Sequence, residues 1–130
     1  ENLHVTLKFL GEIDEEKLEK VKEKLREVKL NGFEGKLDCA GTFSVRGNPK
    51  IVWLKLNGKG LFELQKMIDW KMREEGFRME ERFMGHLTIA RVKYVGEKKE
   101  FNERIKKIGV KEIKFNLLYI IYKRVKDFNP

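Results

Sequence analysis

The chain is poor in the residues that build disulfides, metal clusters and nucleophilic hydrolase sites. It holds one cysteine, one serine and two histidines among 130 residues. The single Cys39 excludes an internal disulfide and a cysteine metal cluster, and Ser44 has no activating motif around it. No apolar run approaches the length of a membrane span and no signal-peptide pattern opens the chain. We therefore expect a cytoplasmic protein that does not associate with membranes.

The composition is that of one basic globular domain. Hydrophobic residues make up 41% and charged residues 38% of the chain, and its length fits a single core. The 29 Lys and Arg exceed the 21 Asp and Glu, so the net charge is +8. This excess favours a polyanionic partner such as nucleic acid, while a solvated Lys and Glu surface is the alternative. The abundance of Lys and Glu also resembles the composition of thermophile proteins.

Both histidines lie in the same kind of tripeptide, His4-Val5-Thr6 and His86-Leu87-Thr88. With three threonines among 130 residues, composition alone gives this spacing a probability of roughly 0.02 for one histidine and about 5 in 10,000 for both. Each motif is followed by an aliphatic residue, then by a Gly-Glu pair and a charged, helix-like run. The pattern indicates an internal repeat of strand, turn and helix.

Hydrophobic periodicity and turn residues predict the element order β-α-β-β-α-β-α-β. The expected segments are a strand over 5–10, a helix over 14–28, strands over 33–40 and 51–56, a helix over 61–75 ended by Gly76, a strand over 83–92, a helix over 97–108 and a last strand over 113–125 with a bend near Asn116. The strands over 33–40 and 51–56 should pair as an antiparallel hairpin with a long loop, with Cys39 on the same face as Phe33. This order predicts an α+β fold, with helices covering one face of antiparallel-rich sheets.

The two motifs suit acid and base catalysis on a phosphodiester. Side chains alternate along a strand, so His4 and Thr6 share a face, as do His86 and Thr88. A pseudo-twofold axis relating the repeats would turn both imidazoles toward one anion-sized cleft. Near neutral pH one imidazole can accept a proton while the other donates one, and the threonine hydroxyls can donate hydrogen bonds to phosphate oxygens. A zinc site is disfavoured, because it needs three or four ligands.

These residues resemble a known family. The runs His4-Val-Thr-Leu-Lys-Phe-Leu-Gly-Glu and His86-Leu-Thr-Ile-Ala-Arg-Val-Lys look like the two HxTx signatures of the two-histidine phosphoesterase superfamily. Within it, the chain resembles the archaeal and bacterial RNA 2′,3′-cyclic phosphodiesterases, also called 2′-5′ RNA ligases. The similarity covers most of the chain, including residues 43–53 between the motifs.

The resemblance implies a bilobal fold with a central cleft, and a cofactor-free, metal-independent opening of a 2′,3′-cyclic phosphate to a 2′-phosphomonoester. His4 would be the general acid that protonates the departing 3′ oxygen, and His86 the general base that activates water. Thr6 and Thr88 would hold the phosphate. The same geometry in reverse, with a 5′-hydroxyl in place of water, would form a 2′-5′ linkage. The implied substrates are RNA ends with a 2′,3′-cyclic phosphate, such as those of tRNA fragments, or cyclic nucleotides. We expect the protein to be a monomer.

The sequence departs from the family in two respects. Relatives usually carry a strand and a helix before the first motif and a strand after the last element here. We therefore expect residues 1–130 to form a single catalytic domain without those flanks, which would leave sheet edges unpaired. Gly85 also precedes the second motif at a position where proline is common. This change is expected to alter only how the strand begins.

Arg91 matches the family's arginine after the second motif. It lies five residues after His86, so a regular strand would point it to the opposite face. Either the strand twists or bulges there and Arg91 binds phosphate or substrate, or Arg91 serves the fold. Phe9 holds the equivalent place in the first repeat and is expected in the core.

Residues in or beside the expected long loop are candidates for base recognition. Phe43 and Trp53 could stack on a nucleobase and Arg46 could pair with one, as in readers of single-stranded RNA. Ordinary packing of the two aromatic rings and a solvated charge at Arg46 are the alternatives. Arg78 and Arg82, just before the second motif, are better placed for the RNA backbone.

Two other functions remain open at this stage. A non-catalytic nucleotide-binding or RNA-binding module of the same fold would use the same residues without turnover. A ligase or a 3′-end trimming exonuclease would use the same acid and base pair.

Overall fold

Three helices and four strands make up the described part of the chain. The structure is a computed structural model that describes residues 3–29, 32–109 and 111–115, the last range by its backbone alone. The elements are α1 Glu15–Arg26, β1 Phe33–Val45, β2 Asn48–Asn57, α2 Lys59–Glu74, β3 His86–Arg91, α3 Lys98–Lys106 and β4 Lys111–Phe115. The strands form one antiparallel sheet in the order β3-β2-β1-β4. The predicted α+β class is confirmed, and the bend expected near Asn116 lies outside the described residues.

The helices follow the sequence signals closely. Asp14 caps α1, because its carboxylate accepts a hydrogen bond from the Lys17 amide at 2.7 Å. The apolar face predicted for α2 is buried, and it packs against Val21 of α1. Gly76 follows α2 with a φ of 85°, a left-handed conformation that glycine adopts without strain. Local caps and periodicity therefore set these two helices.

The strand predicted over residues 5–10 is the largest error of element assignment. This segment makes one isolated bridge, between Val5 and Leu87 of β3, and no regular ladder. Its side chains are used against the helices instead, since Leu7 and Leu10 pack on the core between α1 and α2. Phe9 is 80% exposed and does not enter the core, contrary to expectation. Its neighbour Lys8 turns inward toward α2, which directs Phe9 outward.

The hairpin of β1 and β2 is tighter than predicted. Val45 pairs with Asn48, so the loop consists of Arg46 and Gly47 alone. Both residues have positive φ, 50° and 75°, as a type I′ turn requires. Strand β1 therefore continues to the turn, and Phe43 lies in a strand rather than in a long loop. The turn matches the twist of the strands, which explains why no longer loop forms.

An irregularity in β1 corrects the predicted position of Cys39. The register with β2 shifts between Leu37 and Ala40, so two residues of β1 face one residue of β2. Leu37 is buried as expected, whereas Cys39 is exposed. The bulge reverses the alternation of side chains, which is why Cys39 leaves the face that Phe33 and Leu37 share.

One face of the sheet is apolar and covered by α2. Its buried cluster takes one residue from each of β1, β2, α2 and β3: Leu37, Leu56, Leu61 and Leu87. The described residues form one sheet. The expected cleft corresponds to the sheet face that α2 does not cover, beside the 3–10 segment next to β3. That opposite face carries the second histidine motif.

Candidate active site

The two histidine motifs meet through a single backbone bridge. Val5 and Leu87 are the central residues of the two tripeptides, and they pair antiparallel. Because antiparallel pairing of equivalent residues has local twofold symmetry, the predicted relation between the repeats is confirmed at this point. Both central side chains belong to the buried side, with Leu87 8% exposed and Val5 packed against the same cluster.

The register of this bridge sets the four polar side chains of the motifs around one space. Extended by one residue in each direction, this register sets His4 across from Thr88 and Thr6 across from His86. Since Val5 and Leu87 point to the core, the residues on either side of each point away from it. Side chains directly opposite in such a pair have Cβ atoms about 4.5–5.5 Å apart. This register therefore directs the two imidazoles and the two hydroxyls to the same face.

The ring of His86 is held in a defined orientation. Its Nδ1 lies 3.0 Å from the carbonyl oxygen of Met84. A carbonyl only accepts, so Nδ1 carries the hydrogen and Nε2 is the basic nitrogen of the neutral ring. Phe43 of β1 packs edge to face against the imidazole, with ring centroids 5.2 Å apart. His86 is thus prepared to accept a proton at Nε2.

Gly85 lets the chain just before β3 pack closely against β2 and α2. Its carbonyl accepts a hydrogen bond from the Leu56 amide at 2.8 Å. A Cβ at this position would lie 2.6 Å from Cδ2 of Leu61 and 2.9 Å from the Leu56 carbonyl oxygen. A glycine is therefore needed at position 85, where the backbone packs closely against both β2 and α2. The second motif begins at the next residue.

A bulge in β3 resolves the position of Arg91. Trp53 of β2 pairs with Thr88 and Val52 pairs with Ala90, so Ile89 is an extra residue in β3. Beyond it, Arg91 pairs with Ile51. The extra residue restores Arg91 to the face of His86 and Thr88, where a regular strand would have turned it away. The guanidinium is exposed on this face.

The aromatic candidates lie beside His86 on the same face. Phe43 is 40% exposed, and its ring centroid is 5.5 Å from that of Trp53. The Trp53 ring covers Gly41, where a Cβ would come within 2.4 Å of it. Among the described residues, Trp53 Nε1 is the buried side-chain nitrogen without a hydrogen-bond partner. Phe43 is therefore accessible on this face, whereas the Trp53 ring packs against the strand beneath it.

The remaining arginine candidates lie in the hairpin turn and on the connection that precedes β3. Arg46 is exposed in the hairpin turn, at the same end of the sheet as Arg91. Arg78 and Arg82 lie on the connection between α2 and β3. Together with Lys8 and Phe9, they line an open depression of about 630 Å³. Arg46 thus lies at the hairpin end of the sheet, and Arg78 and Arg82 lie beside the segment that follows the first motif.

Two lysines of this region were not found from the sequence. Lys55 of β2 pairs directly with His86, and alternation from Trp53 could have placed it on the same face. Lys8 follows the first motif, and its ammonium lies 2.5 Å from Oδ1 of Asp69 on α2. The side chains of Lys8 and Asp69 are 6% and 3% exposed. No local pattern in the sequence indicates that this lysine is buried.

The buried pair connects the two motifs. Lys8 also donates to the carbonyl of Arg78, and Asp69 Oδ2 accepts a hydrogen bond from the Glu80 amide at 2.7 Å. Residues 78–80 belong to the connection that leads into the second motif. The ion pair therefore ties the segment after His4 and the connection before His86 to the same turn of α2.

Neither a metal cluster nor a membrane helix is found in the described ranges. His, Cys, Asp and Glu side chains do not gather there in groups of three or more that could hold a metal ion. None of the helices described there combines the length and apolar character that a bilayer span requires. Metal independence stays a prediction, for which a chelator provides the test.

An α+β domain that brings two His-x-Thr segments together across one bridge has the features of a two-histidine phosphoesterase. The family model described as LigT-like phosphoesterase matches residues 1–53 and 55–125. The chain belongs to this family.

Curated relatives and solved structures give the same assignment. An RNA 2′,3′-cyclic phosphodiesterase of Methanocaldococcus jannaschii is 39% identical over 107 residues, which cover 82% of this chain and 61% of that protein. One of Archaeoglobus fulgidus is 42% identical, over 72% of this chain and 53% of that protein. The chain thus spans about half to three fifths of these relatives. The crystal structure of Escherichia coli LigT with 3′-AMP matches with a TM-score of 0.57 and 33% identity, over 69% of this chain and 52% of that one.

Proposed function

We propose that this protein hydrolyses 2′,3′-cyclic phosphate ends of RNA to 2′-phosphomonoesters by two-histidine acid and base catalysis. The observation that supports the proposal is the Val5–Leu87 bridge, which pairs the central residues of the two His-x-Thr motifs. The names of the relatives support the choice of substrate. The net charge of +8 suits a polyanionic RNA.

In this reaction His86 is the general base. Its Nε2 accepts a proton from water while the water oxygen attacks phosphorus, and Nδ1–H remains bonded to the Met84 carbonyl. His4 is the general acid and gives its proton to the 3′ oxygen as the bond from that oxygen to phosphorus breaks. The phosphate stays on the 2′ oxygen. The hydroxyls of Thr6 and Thr88 donate hydrogen bonds to the non-bridging oxygens, whose negative charge grows in the transition state.

The substrate is held by side chains on the same face of the sheet. Arg91, brought there by the bulge, is assigned to phosphate, and the exposed ring of Phe43 to the base. Arg46 at the hairpin turn is assigned to the RNA farther from the cyclic end. Cytoplasmic location, a monomeric state, tRNA fragments as substrates and 2′-5′ ligation stay predictions from the sequence.

Hydrolysis of a short RNA that ends in a 2′,3′-cyclic phosphate tests the proposal. The reaction is run in excess EDTA, and phosphorus NMR identifies whether the product carries a 2′-phosphate. His4→Ala and His86→Ala should each lower the rate about 10²- to 10⁴-fold. Thr42→Ser is a control change away from the site, because Thr42 pairs with the buried Val52 on the opposite face of the sheet. It should leave the rate unchanged.

Two results would contradict the proposal. Full activity of either histidine variant in EDTA would refute the acid and base assignment. Saturable binding of 3′-AMP by the folded chain, with no turnover of cyclic ends, would instead favour the non-catalytic nucleotide-binding module. Calorimetry measures that binding, and circular dichroism shows that the chain is folded.

A further inference from the structure

Lys55 is the residue paired with His86 in the sheet. The register of β2 with β3 sets Lys55 opposite His86 and Trp53 opposite Thr88. Directly opposed residues in an antiparallel pair project from the same face, with Cβ atoms about 4.5–5.5 Å apart. Lys55 therefore flanks His86 on the side away from the first motif, on the face that carries the site.

The ammonium of Lys55 is not neutralised within the described part of the chain. Several other lysines there pair with carboxylates, among them Lys8 with Asp69 and Lys71 with Glu27. No ion pair or hydrogen bond of this kind is formed by Lys55 in the described ranges. The carboxylate across from it at the β1 bulge, Asp38, accepts a hydrogen bond from Asn57 at 2.9 Å.

The side chain is nevertheless partly shielded from water. Lys55 is half-buried, whereas Lys66 on α2 is exposed. A lysine can bury its aliphatic stem along a sheet and keep its charged end at the surface. A partly shielded lysine that pairs with a histidine can offer its ammonium to an anion, and their attraction is stronger there than in open water.

We infer that Lys55 is a further catalytic residue of this site, which binds the phosphate at the RNA end through its ammonium. The inference rests on the proposed function for the identity of the anion. During attack by water, negative charge grows on the non-bridging phosphate oxygens, so a nearby cation stabilises the transition state more than the ground state. Lys55 therefore contributes mainly to kcat, and it also holds the 2′-phosphate product.

The test compares Lys55→Met with Lys66→Met in the full chain. Both changes remove one positive charge, but Lys66 is exposed on α2, which covers the other face of the sheet. Calorimetry measures the affinity for 2′-AMP, and steady-state kinetics gives kcat and KM on the cyclic-phosphate RNA. Lys55→Met should weaken 2′-AMP binding about tenfold or more and lower kcat more than it raises KM. Lys55→Arg should restore most of both quantities, because it returns the charge.

The outcomes separate this inference from the proposed function. If the unaltered chain turns over RNA and Lys55→Met matches Lys66→Met in binding and kcat, the role of Lys55 is refuted while the two-histidine reaction stands. If the unaltered chain binds 2′-AMP without turnover, a loss of affinity confined to Lys55→Met still supports the anion contact and refutes only its catalytic part. A chain that neither binds 2′-AMP nor turns over RNA overturns both.

Discussion

Replacing Lys8 with methionine is expected to destabilise the fold far more than removing an equally short ion pair at the surface. The Lys8–Asp69 pair and the Lys71–Glu27 pair both have nitrogen to oxygen distances of 2.5 Å. They differ in exposure, 6% and 3% for the first pair against 30% and 51% for the second. Burial, rather than distance, should therefore decide the effect.

The magnitude follows from what Lys8→Met leaves behind. Asp69 would keep the hydrogen bond from the Glu80 amide, but its Oδ1 would remain charged and buried without its cation. Breaking a buried ion pair by removing one partner costs about 3–5 kcal/mol. That is a large share of the total stability of a domain, about 5–15 kcal/mol, and corresponds to a fall in Tm of roughly 10–20 °C. Lys71→Met should leave the Tm nearly unchanged, because solvent screens that pair.

Thermal and urea unfolding of four proteins would test this reasoning: the unaltered chain, Lys8→Met, Lys71→Met and the double variant Lys8→Met/Asp69→Asn. The double variant leaves no charge in the buried site and keeps a side-chain acceptor for the Glu80 amide. It should therefore be more stable than Lys8→Met alone. Equal losses for Lys8→Met and Lys71→Met would refute the argument from burial. A double variant less stable than Lys8→Met would refute the claim that an unpaired charge causes the loss.

Three further outcomes are expected. Arg46→Asn should raise the free energy of unfolding by about 0.5–1 kcal/mol, because asparagine tolerates the positive φ of the turn, and should weaken RNA binding; an unchanged urea midpoint would contradict this. Gly41→Ala should lower stability by about 1–3 kcal/mol, since its Cβ would meet the Trp53 ring at 2.4 Å; a wild-type urea midpoint would show that the ring moves freely. The hydrogen bond and charge of Lys24 lower the pKa of Glu74. The ionised carboxylate therefore stabilises the fold fully at a pH above its ordinary pKa of 4.5, and this contribution is lost as the pH falls through the lowered pKa. Glu74→Gln should flatten the acid loss in urea midpoint at low salt, and a steeper loss would reverse the assigned sign.

The helices could be predicted because their signals are local. Asp14 and Gly76 mark the start of α1 and the end of α2, and the apolar spacing between such residues needs no partner to be recognised. The structure shifts the predicted bounds of these helices by at most two residues. Strands depend on what they pair with. The 5–10 segment has strand-like residues but makes one bridge, because its side chains are occupied by the helices and by Asp69.

The candidate site shows the same difference between local signals, which the sequence contains, and strand pairing, which it does not. The duplicated tripeptides gave His4 and His86 from the sequence, since their rarity is visible without a fold. The parity of Arg91 indicated a bulge, but only the register with β2 shows that Ile89 is the extra residue. Lys55 was missed for the same reason, because nothing within its own strand tells which residue of β3 lies opposite. Cross-strand register, rather than residue type, is the information that the sequence lacked.

The contacts that hold His86 fit the role of general base proposed for it. His86 lies in a hydrogen-bonded strand, with its Nδ1 on the Met84 carbonyl and its ring against Phe43. A general base needs one tautomer and one orientation, and these contacts supply both. His4 is exposed, one residue before the bridge to β3. The contacts of His86 therefore favour it as the base, and this leaves the role of general acid to His4.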